Sequence, residues 1–371
     1  VIERRDLHLK IELGLILGAF LLVSLGLIGI YAASAMKGLQ AYNDPFFFVR
    51  KQAFVAFAGF ALVLLFRKLD PRLIERAPLP MALLGLVLLS FILVPGAYSK
   101  VGGAARWLSL PFFRIQPAEL AKLSVVLFLA KNLTRDSSRV DNLKTSVIPN
   151  IAVVGLFAAF LMLQPDFGST VLIVGIMFMM LILAGLSNFL TFCSILSVVS
   201  LGAIAVLAAP YRMKRILAFL DPWSQIKQGG FQIIQSYLAF QNGGLLGTGL
   251  GESRQKLYFL PEAHTDFILS VIGEELGLFG VCLVISLFCY ISWLGFKIAH
   301  MQSNQFFKHT AFGLSLMIAL QSLFNICVVM GLLPTKGITL PFVSNGSSSL
   351  FTFLVAIGLL VAINRGAVRQ S

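Results

Sequence analysis

Residues 13–33 read LGLILGAFLLVSLGLIGIYAA, a stretch without a single charged side chain. As a helix rising about 1.5 Å per residue, a run of this length crosses the ~30 Å hydrocarbon core of a bilayer. Comparable runs recur at 48–66, 77–98, 117–131, 146–163, 169–186, 188–209, 265–296, 309–331 and 347–364, ten in all. The fourth is short and polar at its start, and the eighth is long enough to begin outside the hydrocarbon. The pattern predicts an all-α polytopic membrane protein of about ten transmembrane helices. One long extracytoplasmic loop, about 210–264, falls between spans seven and eight, and residues 1–371 form a single membrane domain.

Composition excludes the main alternatives. The 371 residues are 58% hydrophobic and 12% charged, about half the ~25% charge of a soluble globular chain. That balance is wrong for a soluble enzyme with one anchor, a disordered chain, a coiled coil or a disulfide scaffold. Period-two alternation is missing, so an outer-membrane barrel is excluded as well. Cys193, Cys282, Cys289 and Cys327 sit inside apolar runs as small hydrophobes, without zinc or iron–sulfur spacing. The chain begins at Val1, the start expected of a trimmed sequence. Its first span is too long for a cleaved signal peptide.

The net charge of +13 does not point to nucleic acid, because the basic residues flank the spans. With the N-terminus inside, inner loops hold Arg67, Lys68, Arg72 and Arg76, then Lys131, Arg135, Arg139 and Lys144, then Lys297 and Lys308. Both termini are then cytoplasmic. The opposite face keeps its own basic cluster, including Lys100, Arg106, Arg114, Lys122, Arg212, Lys214, Arg215 and Lys336, which topology alone does not explain. Within the long connection, 231–241 (FQIIQSYLAFQ) reads as a short amphipathic helix suited to the membrane surface. The glycines at 247, 249 and 251 lack phosphate-loop spacing and read as loop flexibility.

Charge at membrane depth is expensive and therefore points to function. Four places carry it. In Gln116-Pro117-Ala118-Glu119-Leu120-Ala121-Lys122, Pro117 suits a first helical turn and Glu119 and Lys122 share one face, as a self-neutralising pair or a functional one. In Gln164-Pro165-Asp166-Phe167-Gly168, Asp166 is as well suited to capping the next helix as to function. In Pro261-Glu262-Ala263-His264-Thr265-Asp266-Phe267 and Gly273-Glu274-Glu275-Leu276-Gly277, a helix sets Glu262, Asp266 and roughly Glu274 on one stripe. The fourth place is Pro334-Thr335-Lys336-Gly337, in a tight loop before Ser344-Asn345-Gly346-Ser347.

With Gly103-Ala104-Ala105-Arg106-Trp107 and Asp221-Pro222-Trp223, these motifs resemble those of the SEDS (shape, elongation, division and sporulation) glycosyltransferases, the FtsW/RodA family, over nearly the whole chain. The block 256–277 (KLYFLPEAHTDFILSVIGEELG) is the most specific, and Ala263 before the histidine is similar to the FtsW branch. Ser344-Asn345-Gly346-Ser347 departs from that branch, which usually has Tyr and Gly after the serine. The resemblance implies a ten-span enzyme of the bacterial cytoplasmic membrane, at the division septum, that polymerises lipid II into glycan strands on the outer face. The donor is the polyprenyl-pyrophosphate-linked glycan, and the 4-hydroxyl of lipid II attacks. It implies Asp266 as the catalytic residue and as the residue holding a divalent cation, Mg2+ or Mn2+. Arg106, Glu119, Lys122 and Lys336 would line the same outward cavity and bind substrate, with His264 and Asp166 in support. A cognate class B penicillin-binding protein and other division proteins are the implied partners. A lipid II flippase, or a division scaffold recruiting a transpeptidase, would use the same membrane fold.

Overall fold

The structure is a computed structural model that describes residues 2–94, 98–101, 104–109, 114–135, 147–226, 229–249, 251–252, 261 and 263–370. Among the described residues, ten helices stand where the apolar runs predict them: α1 (Ile2–Tyr42), α2 (Phe47–Phe66), α4 (Pro78–Phe91), α5 (Pro117–Arg135), α6 (Ile148–Leu163), α7 (Phe167–Leu183), α8 (Asn188–Leu207), α11 (Ile268–Met301), α12 (Gln305–Val329) and α13 (Ser347–Gln370). Three short helices join them, α3 (Arg72–Arg76), α9 (Pro210–Leu220) and α10 (Gly230–Gly243). Six of the ten, α1, α2, α8, α11, α12 and α13, are long and apolar enough to cross a membrane, and α4, α6 and α7 are shorter apolar helices. The protein is a multi-pass membrane protein.

The helix starts follow local chemistry. Proline occupies the first turn of α4, α6 and α9, where its missing N–H costs nothing. Asp166 caps α7, its carboxylate accepting the Ser169 N–H at 3.2 Å, and Asn304 caps α12 through the Phe306 N–H at 2.8 Å. α5 carries Glu119 and Lys122 within its apolar run. It survives in the bundle because nearly all of its faces are buried, against α4, α7 and α12. α8 is the opposite case. No residue of it is buried, and its exposed Phe189, Phe192, Ile204 and Leu207 suit a lipid-facing wall.

Alternating helix directions gather the chain's two ends at one end of the bundle. There His8 Nδ1 lies 2.7 Å from Asn364 Oδ1. Glu12, 2% exposed, pairs with Arg365 Nε at 2.7 Å and with Arg67, tying α1, α2 and α13. The opposite end holds the loops before α5, α7, α11 and α13, and the long connection after α8.

Three expectations are revised. α11 begins at Ile268, so Asp266 lies in a turn and shares no helical stripe with Glu274; Glu262 lies outside the described residues. Residues 231–241 form most of α10, the expected helix, and its inner face packs on α11. It buries Ile233, Ile234, Ser236 and Ala239, and Ser236 Oγ donates to Val329 O at 2.6 Å. The basic amphipathic helix of the connection is α9. A small antiparallel sheet, β1 (Tyr98–Val101), β2 (Ala104–Ser109) and β3 (Arg114–Ile115), was not foreseen. Its strands pair Ser99 with Trp107 and Ser109 with Arg114, and β2 carries Arg106. Finally, Gly247, Gly249 and Gly251 adopt positive φ of 83°, 108° and 81°, and Gly247 closes directly on α11, so this segment is packed and not slack.

Candidate functional site

At the loop-rich end, a cleft enclosing about 560 Å³, solvent included, is walled by Arg106 from β2, Asp166 and Phe167 from the start of α7, Arg212 and Arg215 from α9, and Lys336 from the α12–α13 loop. Each wall has a local cause. Arg106 donates to the Pro165 carbonyl and, through Nε at 3.4 Å, to that of Gln164. Those carbonyls follow the C-terminus of α6, where the helix dipole favours a cation. Gln164 is fixed in turn by its amide on Leu89 O at 3.0 Å. Phe167 offers its ring to two cations, Lys336 Nζ 4.5 Å from the centroid and Arg212 Cζ at 5.3 Å. Arg215 Nη1 donates to Thr335 O at 3.2 Å, joining α9 to the Lys336 loop.

Asp266 stands half-buried at the rim of this cleft. A Cβ built on Gly337 would lie 3.2 Å from Asp266 Oδ2 and 3.7 Å from Arg106 Nη1. The carboxylate and the guanidinium therefore flank one glycine. The Asp266 turn is sewn to the loop that carries Lys336. Asn325 Nδ2 donates to Asp266 O at 2.8 Å and to Ile338 O at 2.7 Å, Ser344 Oγ donates to Thr265 O at 2.5 Å, and Asn345 N donates to His264 O at 3.0 Å.

The crowding of cations has an electrostatic signature. Burial, and then the neighbouring Arg215, push the Lys336 ammonium down to about 8, with Asp166 partly offsetting them. Desolvation and then Arg106 draw Arg215 below its ordinary value, while Asp266 opposes the fall. Arg215 is exposed at the rim, so its guanidinium stays charged. Such a site is built to take an anion.

Of the other residues singled out in the sequence, Asp166 lines the cleft and Glu119, Lys122 and His264 do not. Lys122, 1% exposed, donates to Glu119 Oε1 at 2.8 Å and to Gln321 Oε1, with the Phe353 ring 5.7 Å away. Gln321 Nε2 then donates to Thr339 O at 3.1 Å. Glu119 and Lys122 thus form a buried support beneath the Lys336 loop and do not line the cleft. His264 is buried on the other flank of the Asp266 turn, its ring 5.3 Å from that of Phe48. Asp166 is both a cleft residue and the α7 cap, and its Oδ2 also accepts the Ser169 hydroxyl at 2.8 Å. Arg212 and Arg215 were visible in the sequence only as outer basic residues, and Tyr211, which also lines the cleft, was missed. Their signal was the i, i+3 spacing of the two arginines on one amphipathic helix. Among the described residues, no group of three His, Cys, Asp or Glu side chains is arranged to hold a metal.

This architecture has close counterparts. A relative from Geobacter metallireducens, "Probable peptidoglycan glycosyltransferase FtsW", is 38% identical over 355 residues, 96% of this chain and 95% of its own. One of the same description from Legionella pneumophila is 40% identical, covering 94% and 90%. "Stage V sporulation protein E" of Bacillus subtilis is 38% identical, covering 95% and 97%. Among solved structures, a chain described under "Structural coordination of polymerization and crosslinking by a peptidoglycan synthase complex" superposes with a TM-score of 0.78 at 28% identity, over 95% of this chain and 97% of that one. RodA of Thermus thermophilus gives 0.70 at 25% identity, over 95% and 96%. The sequence pattern shared by FtsW, RodA and SpoVE, described as "Cell cycle protein", matches residues 13–368, and with the bundle, the Asp266 turn and the cationic cleft all falling inside that match, the chain belongs to this family.

Proposed function

We propose that the chain is a peptidoglycan glycosyltransferase that polymerises lipid II on the outer face of the cytoplasmic membrane during division. The observation that carries this reading is one carboxylate, Asp266, set across Gly337 from Arg106 at the mouth of a cleft lined by Arg212, Arg215 and Lys336. The 4-hydroxyl of lipid II attacks C1 of the terminal sugar of the growing glycan. The C1–O bond to pyrophosphate breaks, the carrier lipid leaves with the pyrophosphate, and the hydroxyl proton passes to Asp266. Arginine forks and the Lys336 ammonium suit pyrophosphate oxygens, and they are fixed before substrate arrives. Exposed apolar α8, next to α9, suits the long polyprenyl tail.

A divalent cation fits this site in one form only. Asp266, the carboxylate beside Gly337 and Arg106, would hold it together with substrate phosphates, as Mg2+ prefers. Bound there, it would supply charge neutralisation for the leaving pyrophosphate. Likeness to a chain of a synthase complex that couples polymerization to crosslinking supports a crosslinking partner, a class B penicillin-binding protein. A flippase would place its key groups near the bilayer midplane; the cleft, the Asp266 turn and the sheet all lie at one end of the bundle. The test is to supply purified chain and partner with lipid II and Mg2+. Long glycan strands are expected; lipid II moved across vesicles without strands would reverse the reading.

A further inference from the structure

We infer that Asn325, on α12, is the positioning residue that sets Asp266 against the cleft, an inference that rests on Asp266 being the base. The two loops that meet at the site come from opposite sides of α12 in sequence, 261–267 before it and 330–346 after it. Their direct ties, Ser344 Oγ to Thr265 O and Asn345 N to His264 O, stop one and two residues short of Asp266. Asn325 reaches Asp266 itself with a single amide group, whose two N–H bonds go to Asp266 O at 2.8 Å and Ile338 O at 2.7 Å. Both acceptors are main-chain carbonyls, so only the NH2 half of the amide can face them. Ile338 follows Gly337, the residue between Asp266 Oδ2 and Arg106 Nη1. One side chain thus ties the main chain of Asp266 to the residue that follows Gly337.

Two further observations separate this from ordinary packing. Asn325 is 1% exposed, and its own Oδ1 is buried without a hydrogen-bond partner among the described residues. The side chain is therefore oriented by the two carbonyls at the expense of its own acceptor. The helix beneath it is held independently, because α12 packs along α11, α5 and α7. Gln321, one turn earlier, grips the same loop at Thr339 O, so loss of Asn325 loosens the Asp266 turn more than the loop.

Misplacing a reacting group by about 1 Å costs up to ~100-fold in rate. The experiment follows lipid II polymerisation by the full chain with its partner, for wild type, Asn325→Ala, Asn325→Ser and Asp266→Asn, alongside thermal melting. Asn325→Ala should lower kcat at least about tenfold while KM for lipid II stays within about twofold, and the serine, with one hydroxyl donor, should recover part of the loss. If the alanine variant does not fold, the serine variant carries the same comparison. Wild-type kcat in a folded Asn325 variant while Asp266→Asn is dead overturns the inference. So does a loss of kcat and KM together that tracks the fall in melting temperature. Activity in Asp266→Asn would instead remove the base on which the inference rests.

Discussion

Lys336 and Lys122 are the same side chain in two unlike roles, and the difference is depth. Lys336 carries its charge at the cleft, with its pKa held at about 8. An ammonium that binds pyrophosphate is charged below that value and loses its charge as pH rises through it. In the free enzyme kcat/KM should therefore fall above about pH 8, and Lys336→Arg, which stays charged, should remove that limb. A kcat/KM that is flat from pH 7 to 9.5 in wild type would exclude Lys336 as an anion ligand. Lys122 should answer to a different measurement. Replacing it by Ala strands Glu119 in the interior, at a cost of roughly 3–5 kcal/mol, and should show first as a lower melting temperature. Resemblance to the family implied both lysines in one cavity, whereas spacing reveals only which residues are neighbours along a helix. It does not reveal which face a packed helix turns toward solvent, and α5 turns that face inward.

Between α10 and α11 the backbones nearly touch. A Cβ on Gly243 would lie 2.0 Å from Gly273 O, and one on Gly247 2.0 Å from Glu275 O. Opposite them Gly277, at φ 65°, kinks α11 and leaves room for Gly247 N. The segment is locked by Thr248 N and Gly249 N on the carbonyls of Glu274 and Glu275, at 2.9 and 3.1 Å. Gly251 N adds a bond to Glu275 Oε1 at 3.0 Å. Gly247→Ala should therefore lower the melting temperature by several degrees, beyond the left-handed penalty of about 1–2 kcal/mol. Gly185→Ala makes the control, since Gly185 has φ 102° and open space around it and should show that penalty alone. Equal shifts in the two variants would mean that the close approach carries no energy. The ten long helices were legible because an apolar run of membrane length needs no partner to be recognised. The sheet and this wedge were not. Strands of two to six residues lack a periodic signal, and a glycine that admits another backbone looks the same in sequence as one that relaxes a loop.

At the scale of the molecule, the even number of long helices brings the termini together and sends the cleft to the far end. Basic residues on the loops beside the termini lead us to propose that the termini lie inside. In a cysteine-free background, Gln241→Cys, exposed in α10, should react with an impermeant thiol reagent added outside the cell, and Arg72→Cys, exposed in α3, should not. Reversed labelling would put the cleft on the wrong face for building a wall. The account as a whole rests on chemistry performed at Asp266. Asp266→Asn preserves the shape of the side chain and leaves the backbone bonds to Asn325 untouched, while removing charge and basicity. Incubated with lipid II, Mg2+ and the partner, this variant should yield no glycan strands, although it inserts, melts and binds the partner as wild type does. Strand formation by Asp266→Asn at a rate near wild type would contradict the account.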